Sequence, residues 1–285
     1  MKCLICPNDC NVDRTNNFGF CNSSYNFKIA KYAPFFYEEP LVSGQNGSGA
    51  IFFTGCSLKC KFCQNYELSR NLRGKEFSFL EFKTIIDNLT NSQVHNINLV
   101  NPTHYALGLS EFFKLYPCKI PIVYNTHGYE KLSTLSLVEN FVDVYLVDLK
   151  YYLPTRSKRY CGKENYFEYA SSAILEMVKQ KPLIIENGII KQGVIVRHLI
   201  LPQNTDESIR LIDWYNQNVG DKAYLSVMSQ YTPFGEIDNL TELKRTITDR
   251  ERNRVYDYVF SLKLQNVFMQ EKQSATTSYI PKWDF

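Results

Sequence analysis

From residue 50 onward, short runs of apolar, β-branched and aromatic residues alternate with longer stretches in which apolar positions recur every three or four residues. Continuous apolar runs suit strands covered on both faces, and the longer period suits amphipathic helices packed against them. Six runs qualify as strands: Ala50–Thr54, Asn96–Val100, Pro121–Tyr124, Val142–Val147, Val194–Leu199 and Ala223–Met228. Helical periodicity fills Ser78–Leu89, Asn165–Lys181, Thr205–Asn218 and Asp249–Leu262. This repetition predicts an α/β chain with parallel strands, folded as a partial (β/α)6, TIM-like barrel. One segment breaks the alternation: Leu183–Gln192 carries Asn187-Gly188 between apolar pairs, which predicts an inserted hairpin with a tight turn.

Residues 1–49 follow neither period and include a Gly/Ser/Asn stretch from Ser43 to Gly49. They are expected to form a small cysteine-rich, metal-stapled module leading into the barrel, and residues 50–285 the barrel with a C-terminal extension. With 285 residues and 44% hydrophobic content the chain can bury a substantial core. Its 32 basic and 29 acidic residues are spread along the sequence, so the net charge of +3 points to neither nucleic acid nor a membrane surface. No apolar run approaches the length of a membrane span, and Met1-Lys2 leads into Cys3-Leu4-Ile5-Cys6 rather than a secretory core. A cytoplasmic location is the resulting expectation.

Nine cysteines then change the question, because thiols kept reduced inside cells more often bind metals than form disulfides. Cys56, Cys60 and Cys63 lie within eight residues, in a loop just after the first strand run, where α/β barrels place their chemistry. Three thiolates leave one iron of a [4Fe-4S] cubane without a protein ligand, whereas electron-carrier clusters usually have four cysteines. Cys3, Cys6, Cys10 and Cys21 form a second group, with spacings that can close a four-ligand site. Structural zinc and a second [4Fe-4S] cluster both fit that spacing. Cys118 and Cys161 stand outside both groups and read as ordinary residues.

The Cys-x3-Cys-x-aromatic-Cys pattern of Cys56, Cys60, Phe62 and Cys63 resembles the signature of the radical S-adenosylmethionine (SAM) enzymes. Its flanks, Gly49–Gly55 before and Gln64-Asn65 after, resemble the activating enzymes of pyruvate formate-lyase. The resemblance implies that the open iron chelates the amino and carboxylate groups of SAM. One electron from the reduced cluster then splits SAM into methionine and a 5′-deoxyadenosyl radical that abstracts hydrogen.

The same resemblance assigns the remaining site residues to loops after the strands. Phe62 would lie beside the adenine. Asn101 and Thr103 stand where the family usually shows a Gly-Gly-Glu run for the SAM amino group, and could offer oxygen acceptors in place of the missing acid. Asn125-Thr126-His127-Gly128 is similar to the family's Asp-Thr-Asn-Gly, so Asn125 and Thr126 become polar contacts, while His127 reads as structural. Asp148 and Lys150 match an Asp-Leu-Lys at the ribose and carboxylate side. Arg197 resembles an arginine that pairs with the SAM carboxylate, with His198 on the opposite, structural side of its strand. Gln230 or Tyr231 occupies the place of a histidine near the adenosine.

A flavodoxin- or ferredoxin-like protein is the electron donor implied. The hydrogen to be abstracted belongs to a backbone glycine of a partner enzyme, to another protein side chain or to a small molecule. A non-enzymatic Fe-S electron carrier, the alternative from another class, would have a fully ligated cluster and no affinity for SAM.

Overall fold

The computed structural model describes residues 2–270, so residues 271–285 of the C-terminal extension lie outside the described residues. Among the described residues ten strands form one sheet: β1 (Phe27–Phe35), β2 (Ser48–Phe53), β3 (Lys75–Phe77), β4 (Ile97–Val100), β5 (Ile122–Thr126), β6 (Val144–Asp148), β7 (Ile184–Glu186), β8 (Ile189–Leu199), β9 (Tyr224–Met228) and β10 (Val267–Met269). The order across the sheet is β10-β9-β8-β6-β5-β4-β2-β1-β3, with β7 paired to β8. Strands β2, β4, β5, β6, β8, β9 and β10 run parallel to their neighbours in that series. All six expected strands are present and in chain order. β2, β4 and β5 are buried throughout, which is why their sequences read as unbroken apolar runs.

Among the described residues nine α-helices accompany these strands: α1 (Pro40–Ser43), α2 (Tyr66–Ser69), α3 (Phe79–Asn91), α4 (Ala106–Leu115), α5 (Leu132–Val138), α6 (Pro154–Cys161), α7 (Tyr166–Gln180), α8 (Thr205–Asn218) and α9 (Asp249–Ser261). Local chemistry fixes where several of them start and stop. Ser78 and Thr248 cap α3 and α9, each in a reciprocal capping box with the glutamate three residues on, Glu81 and Glu251. Gly162 ends α6 in the left-handed conformation. Helices α4, α5 and α6 make crossovers that the periodicity did not reveal.

Two features differ from expectation near the ends of the chain. Residues 27–35, read as part of an irregular lead-in, form β1, which pairs antiparallel with β2 on one side and β3 on the other. β10 adds a parallel strand beside β9. The hairpin is present, with φ values of 52° and 75° at Asn187 and Gly188, the two positive angles a two-residue turn of this hand requires. Its second arm runs without a break into the expected strand, making β8 eleven residues long. Among the described residues no helix is long and apolar enough to cross a membrane.

Candidate active site

The loop after β2 is tied down on every side. Gly55 donates from its N–H to the Leu68 carbonyl at 3.0 Å, and Lys61 to the Tyr160 carbonyl at 2.9 Å. Arg70 reaches the Lys59 carbonyl at 2.8 Å, and Asn101 reaches that of Gly55 at 2.6 Å. His127 accepts from the Tyr129 N–H at Nδ1, which leaves Nε2 to donate to the Ser57 hydroxyl at 2.8 Å. Burial pushes the His127 imidazole down to about 3, so it holds the loop as a neutral ring.

Within this loop Cys56 and Cys60 are buried and Cys63 is half-buried. The N–H groups of Leu58 and Lys59 both point at Cys56 Sγ, at 3.4 Å each. Burial pushes the Cys56 thiol up to about 12 and raises Cys63. Cys60 is raised first by a hydrogen bond with Cys161 and then by burial. Thiols this reluctant to ionise become thiolates only where a metal compensates the charge, and the backbone N–H groups turned on Cys56 are the donors a thiolate needs. The three side chains thus fit a cluster that leaves one iron free.

All three open onto a cleft of about 270 Å³ at the carboxyl ends of the parallel strands. Phe62, Asn101, Asn125, Thr126, Asp148, Lys150, Arg197 and Gln230 line the same cleft. Thr103 does not: it sits fully buried in the turn after Pro102, and its hydroxyl donates to Glu130 Oε1 at 2.5 Å. That is a correction to its expected place, because the buried Glu130 carboxyl takes the hydroxyls of both Thr103 and Thr126. Burial pushes Glu130 up to about 7 even against those two donors.

Charge is concentrated on the wall built by β6 and β8, whose register places Asp148 beside Arg197. Arg197 Nε donates to Asp148 Oδ1 at 2.8 Å, Nη2 to Asn125 Oδ1 at 2.7 Å, and Nη1 to Glu38 Oε2 at 3.2 Å. Lys150 Nζ meets the other Asp148 oxygen at 2.6 Å. Burial works against Asp148, yet Arg197 and Lys150 hold its carboxyl below the usual range. His198 faces away, bonded to the Leu149 carbonyl and the Ser208 hydroxyl at 2.8 Å each.

Glu38, which the sequence did not single out, is a full member of this wall. It comes from the segment between β1 and α1, and its Oε1 accepts from Asn98 at 3.0 Å and Asn125 at 3.2 Å. Burial pushes it up to about 7, partly offset by Arg197. The one available signal was indirect: an arginine inside an apolar strand needs a carboxylate partner.

Asn101 holds φ at 60°, a conformation asparagine tolerates better than most residues. Its amide nitrogen is fixed on Gly55, which leaves Oδ1 buried at the cleft with no hydrogen-bond partner. Phe62 stands edge-on to Tyr160 and Tyr231, with ring centroids 5.9 and 5.8 Å away. Gln230 accepts from the Gln270 amide at 3.1 Å, and the Tyr231 hydroxyl donates to the Leu243 carbonyl at 2.8 Å.

The amino-terminal cysteines pack beside the same loop. Asn8 Nδ2 lies 2.7 Å from the Ser57 carbonyl and 3.4 Å from Cys6 Sγ, and the Phe20 N–H points at Cys10 Sγ at 3.1 Å. Among the described residues no three His, Cys, Asp or Glu side chains converge as ligands of one ion. Ligands of an Fe-S cluster sit on separate irons and need not converge in that way.

Residues 42–167 match the family described as "4Fe-4S single cluster domain", a span that includes Cys56, Cys60 and Cys63 but not the four earlier cysteines. The uncharacterized protein MJ0674 of Methanocaldococcus jannaschii is 27% identical over 277 residues, covering 94% of this chain and 77% of the relative. Among solved structures, Streptococcus suis SuiB bound to S-adenosylmethionine superposes with a TM-score of 0.52 at 16% identity, over 76% of this chain and 48% of SuiB. The superposition thus spans about half the length of SuiB. At that identity the likeness concerns the fold alone, and it bears out the α/β fold with parallel strands that the alternation of apolar runs and helical stretches predicts.

Proposed function

We propose that this chain is a radical SAM enzyme, in which Cys56, Cys60 and Cys63 hold a [4Fe-4S] cluster and SAM occupies the adjoining cleft. The observation behind it is a juxtaposition: three thiols of one loop share a 270 Å³ cleft with the Asp148, Lys150 and Arg197 charge cluster. SuiB, of the same fold, was crystallised with S-adenosylmethionine. When bound, the cluster would supply the electron for reductive cleavage of SAM to methionine and a 5′-deoxyadenosyl radical.

The chain's own residues bind, orient and exclude water. Lys150 and Arg197 offer cationic N–H donors to the SAM carboxylate, and Asp148 holds both in place. The unpartnered Oδ1 of Asn101 is suited to accept from the SAM amino group, the task an acid performs in the family's usual sequence. Phe62 gives the adenine an apolar ring in a dry wall. A flavodoxin- or ferredoxin-like protein would deliver the electron. The four amino-terminal thiols would hold a metal of their own, zinc or a second cluster. The finer assignment is hydrogen abstraction from a backbone glycine of a partner enzyme, supported by the Gly49–Gly55 and Gln64-Asn65 flanks. A protein side chain or small molecule is the alternative donor, and the SuiB complex with its precursor peptide SuiA is a peptide precedent on this fold.

The test is anaerobic reconstitution with iron and sulfide, addition of SAM and dithionite, and measurement of 5′-deoxyadenosine. Formation that requires intact Cys60, with none in a Cys60→Ala control, is the expected result. A fully loaded cluster that neither responds to SAM nor yields deoxyadenosine would return the chain to the electron carriers.

A further inference from the structure

The strap that follows β6 does more than present Asp148 and Lys150. Its next residue, Tyr151, is 1% exposed, and its hydroxyl lies 3.7 Å from Cys60 Sγ, within reach of an O–H···S hydrogen bond. Cys60 is the one partner found for that hydroxyl among the described residues. The ring is held so that it has little choice. Tyr160 tilts against it at a centroid distance of 5.8 Å and Tyr166 meets it edge-on at 5.2 Å. The backbone on either side is pinned as well: Lys150 N–H donates to the Tyr166 hydroxyl at 3.0 Å, and the Tyr152 and Leu153 N–H groups share Glu207 Oε1 at 2.5 and 2.8 Å. The neighbouring thiol of Cys161 has its own acceptor, the Ser157 carbonyl at 3.1 Å. A buried phenol with one acceptor, and that acceptor a cysteine of the three-thiol loop, is costly to place unless the contact is used.

Resting on the proposal that Cys60 ligates the cluster, we propose that Tyr151 is a positioning residue that sets the cluster's reduction potential through an O–H···S bond to Cys60. Reduction adds negative charge that spreads onto the cysteine sulfurs. A donor fixed on one of those sulfurs therefore stabilises the reduced form more than the oxidised one, and raises the potential. The rigid aromatic setting keeps the donor in place in both states.

The experiment is an EPR-monitored redox titration of the reconstituted, full-length protein. Tyr151→Phe removes only the hydroxyl and is expected to shift the midpoint to more negative values, with iron content unchanged. Replacement of Tyr151 by 3-fluorotyrosine, a more acidic phenol and stronger donor, is expected to shift it the opposite way. A structural role for the ring would move neither midpoint in this paired fashion. If both variants carry a full cluster at the wild-type midpoint, the inference is overturned while the proposed activity stands. Should Tyr151→Phe fail to load a cluster, the fluorotyrosine protein decides alone: a less negative midpoint supports the inference and an unchanged one overturns it. A wild-type protein that loads no four-iron cluster removes Cys60 as a ligand and overturns both proposals.

Discussion

Asn101, at the cleft, and His198, on the opposite side of β8, show how much a single side chain can be asked to do. The backbone of Asn101, at φ 60°, suits glycine as well as asparagine, so Asn101→Gly deletes the amide with little backbone strain. Loss of the Oδ1 acceptor for a charged amino group is worth about 1.5–3 kcal/mol, so the Kd for SAM should rise by roughly 10- to 150-fold. Equilibrium binding to the loaded protein measures this, with retained cluster content showing that the loop survived. His198 makes a prediction about stability instead. Burial pushes it down to about 4 from its ordinary value of 6.5. The unfolded chain therefore binds a proton that the folded chain refuses, and the stability from this group is lost as pH falls through 6.5 toward 4. Urea unfolding at pH 7.5 and 5.0 should show the wild type losing about 2 kcal/mol more than His198→Gln across that interval. The buried carboxyls of Glu38 and Glu130 act in the opposite sense, but equally in both proteins.

Two turn glycines separate backbone strain from crowding at the level of elements. Gly188, in the β7–β8 hairpin, has φ 75° and open space where a Cβ would go. Gly128, after β5, has φ 81°, and a Cβ there would lie 2.4 Å from the Asp148 carbonyl oxygen. Gly188→Ala should cost about 1–2 kcal/mol and leave SAM cleavage unchanged. Gly128→Ala should cost about 3 kcal/mol or more, since displacement of the β6 end adds to the strain, and should weaken SAM binding by moving Asp148. Thermal unfolding and SAM binding on both variants check the contrast. The hairpin turn was legible because Asn-Gly answers a local demand. The parallel strands were legible for a similar reason, being buried on both faces. β1 was not: it is an antiparallel neighbour of β2 with Lys28 and Lys31 along it, so its apolar pattern is broken. Glu38 was illegible because its partner Arg197 lies 159 positions away, and only the fold brings them together. Thr103 was misplaced because its acceptor, Glu130, is likewise supplied by another loop.

On the scale of the whole molecule, the amino-terminal segment is sewn to the barrel around the cysteine loop. Lys131 pairs with Asp9, the Thr134 hydroxyl donates to the Ile5 carbonyl, and Asn8 spans Cys6 and Ser57. Cys6 also feels the charges of Cys10 and Cys21, although burial is the main reason its thiol is raised to about 11. Cys6, Cys10 and Cys21 lie close enough to feel one another's charge in a segment with few regular elements, and a bound metal would give such a segment a reason to stay ordered. A Cys56, Cys60 and Cys63 triple alanine variant, purified after anaerobic reconstitution, isolates the question. Metal analysis should find either zinc or iron retained by this variant, and lost when Cys6 and Cys21 are also replaced. Zinc would make the segment a structural clasp. Iron with sulfide would place a second cluster beside the first, with Asn8 between Cys6 and the cysteine loop, and would make this face the entry point for electrons. A triple variant that retains neither metal would leave the four thiols as packing residues and remove the amino-terminal metal from the proposed enzyme.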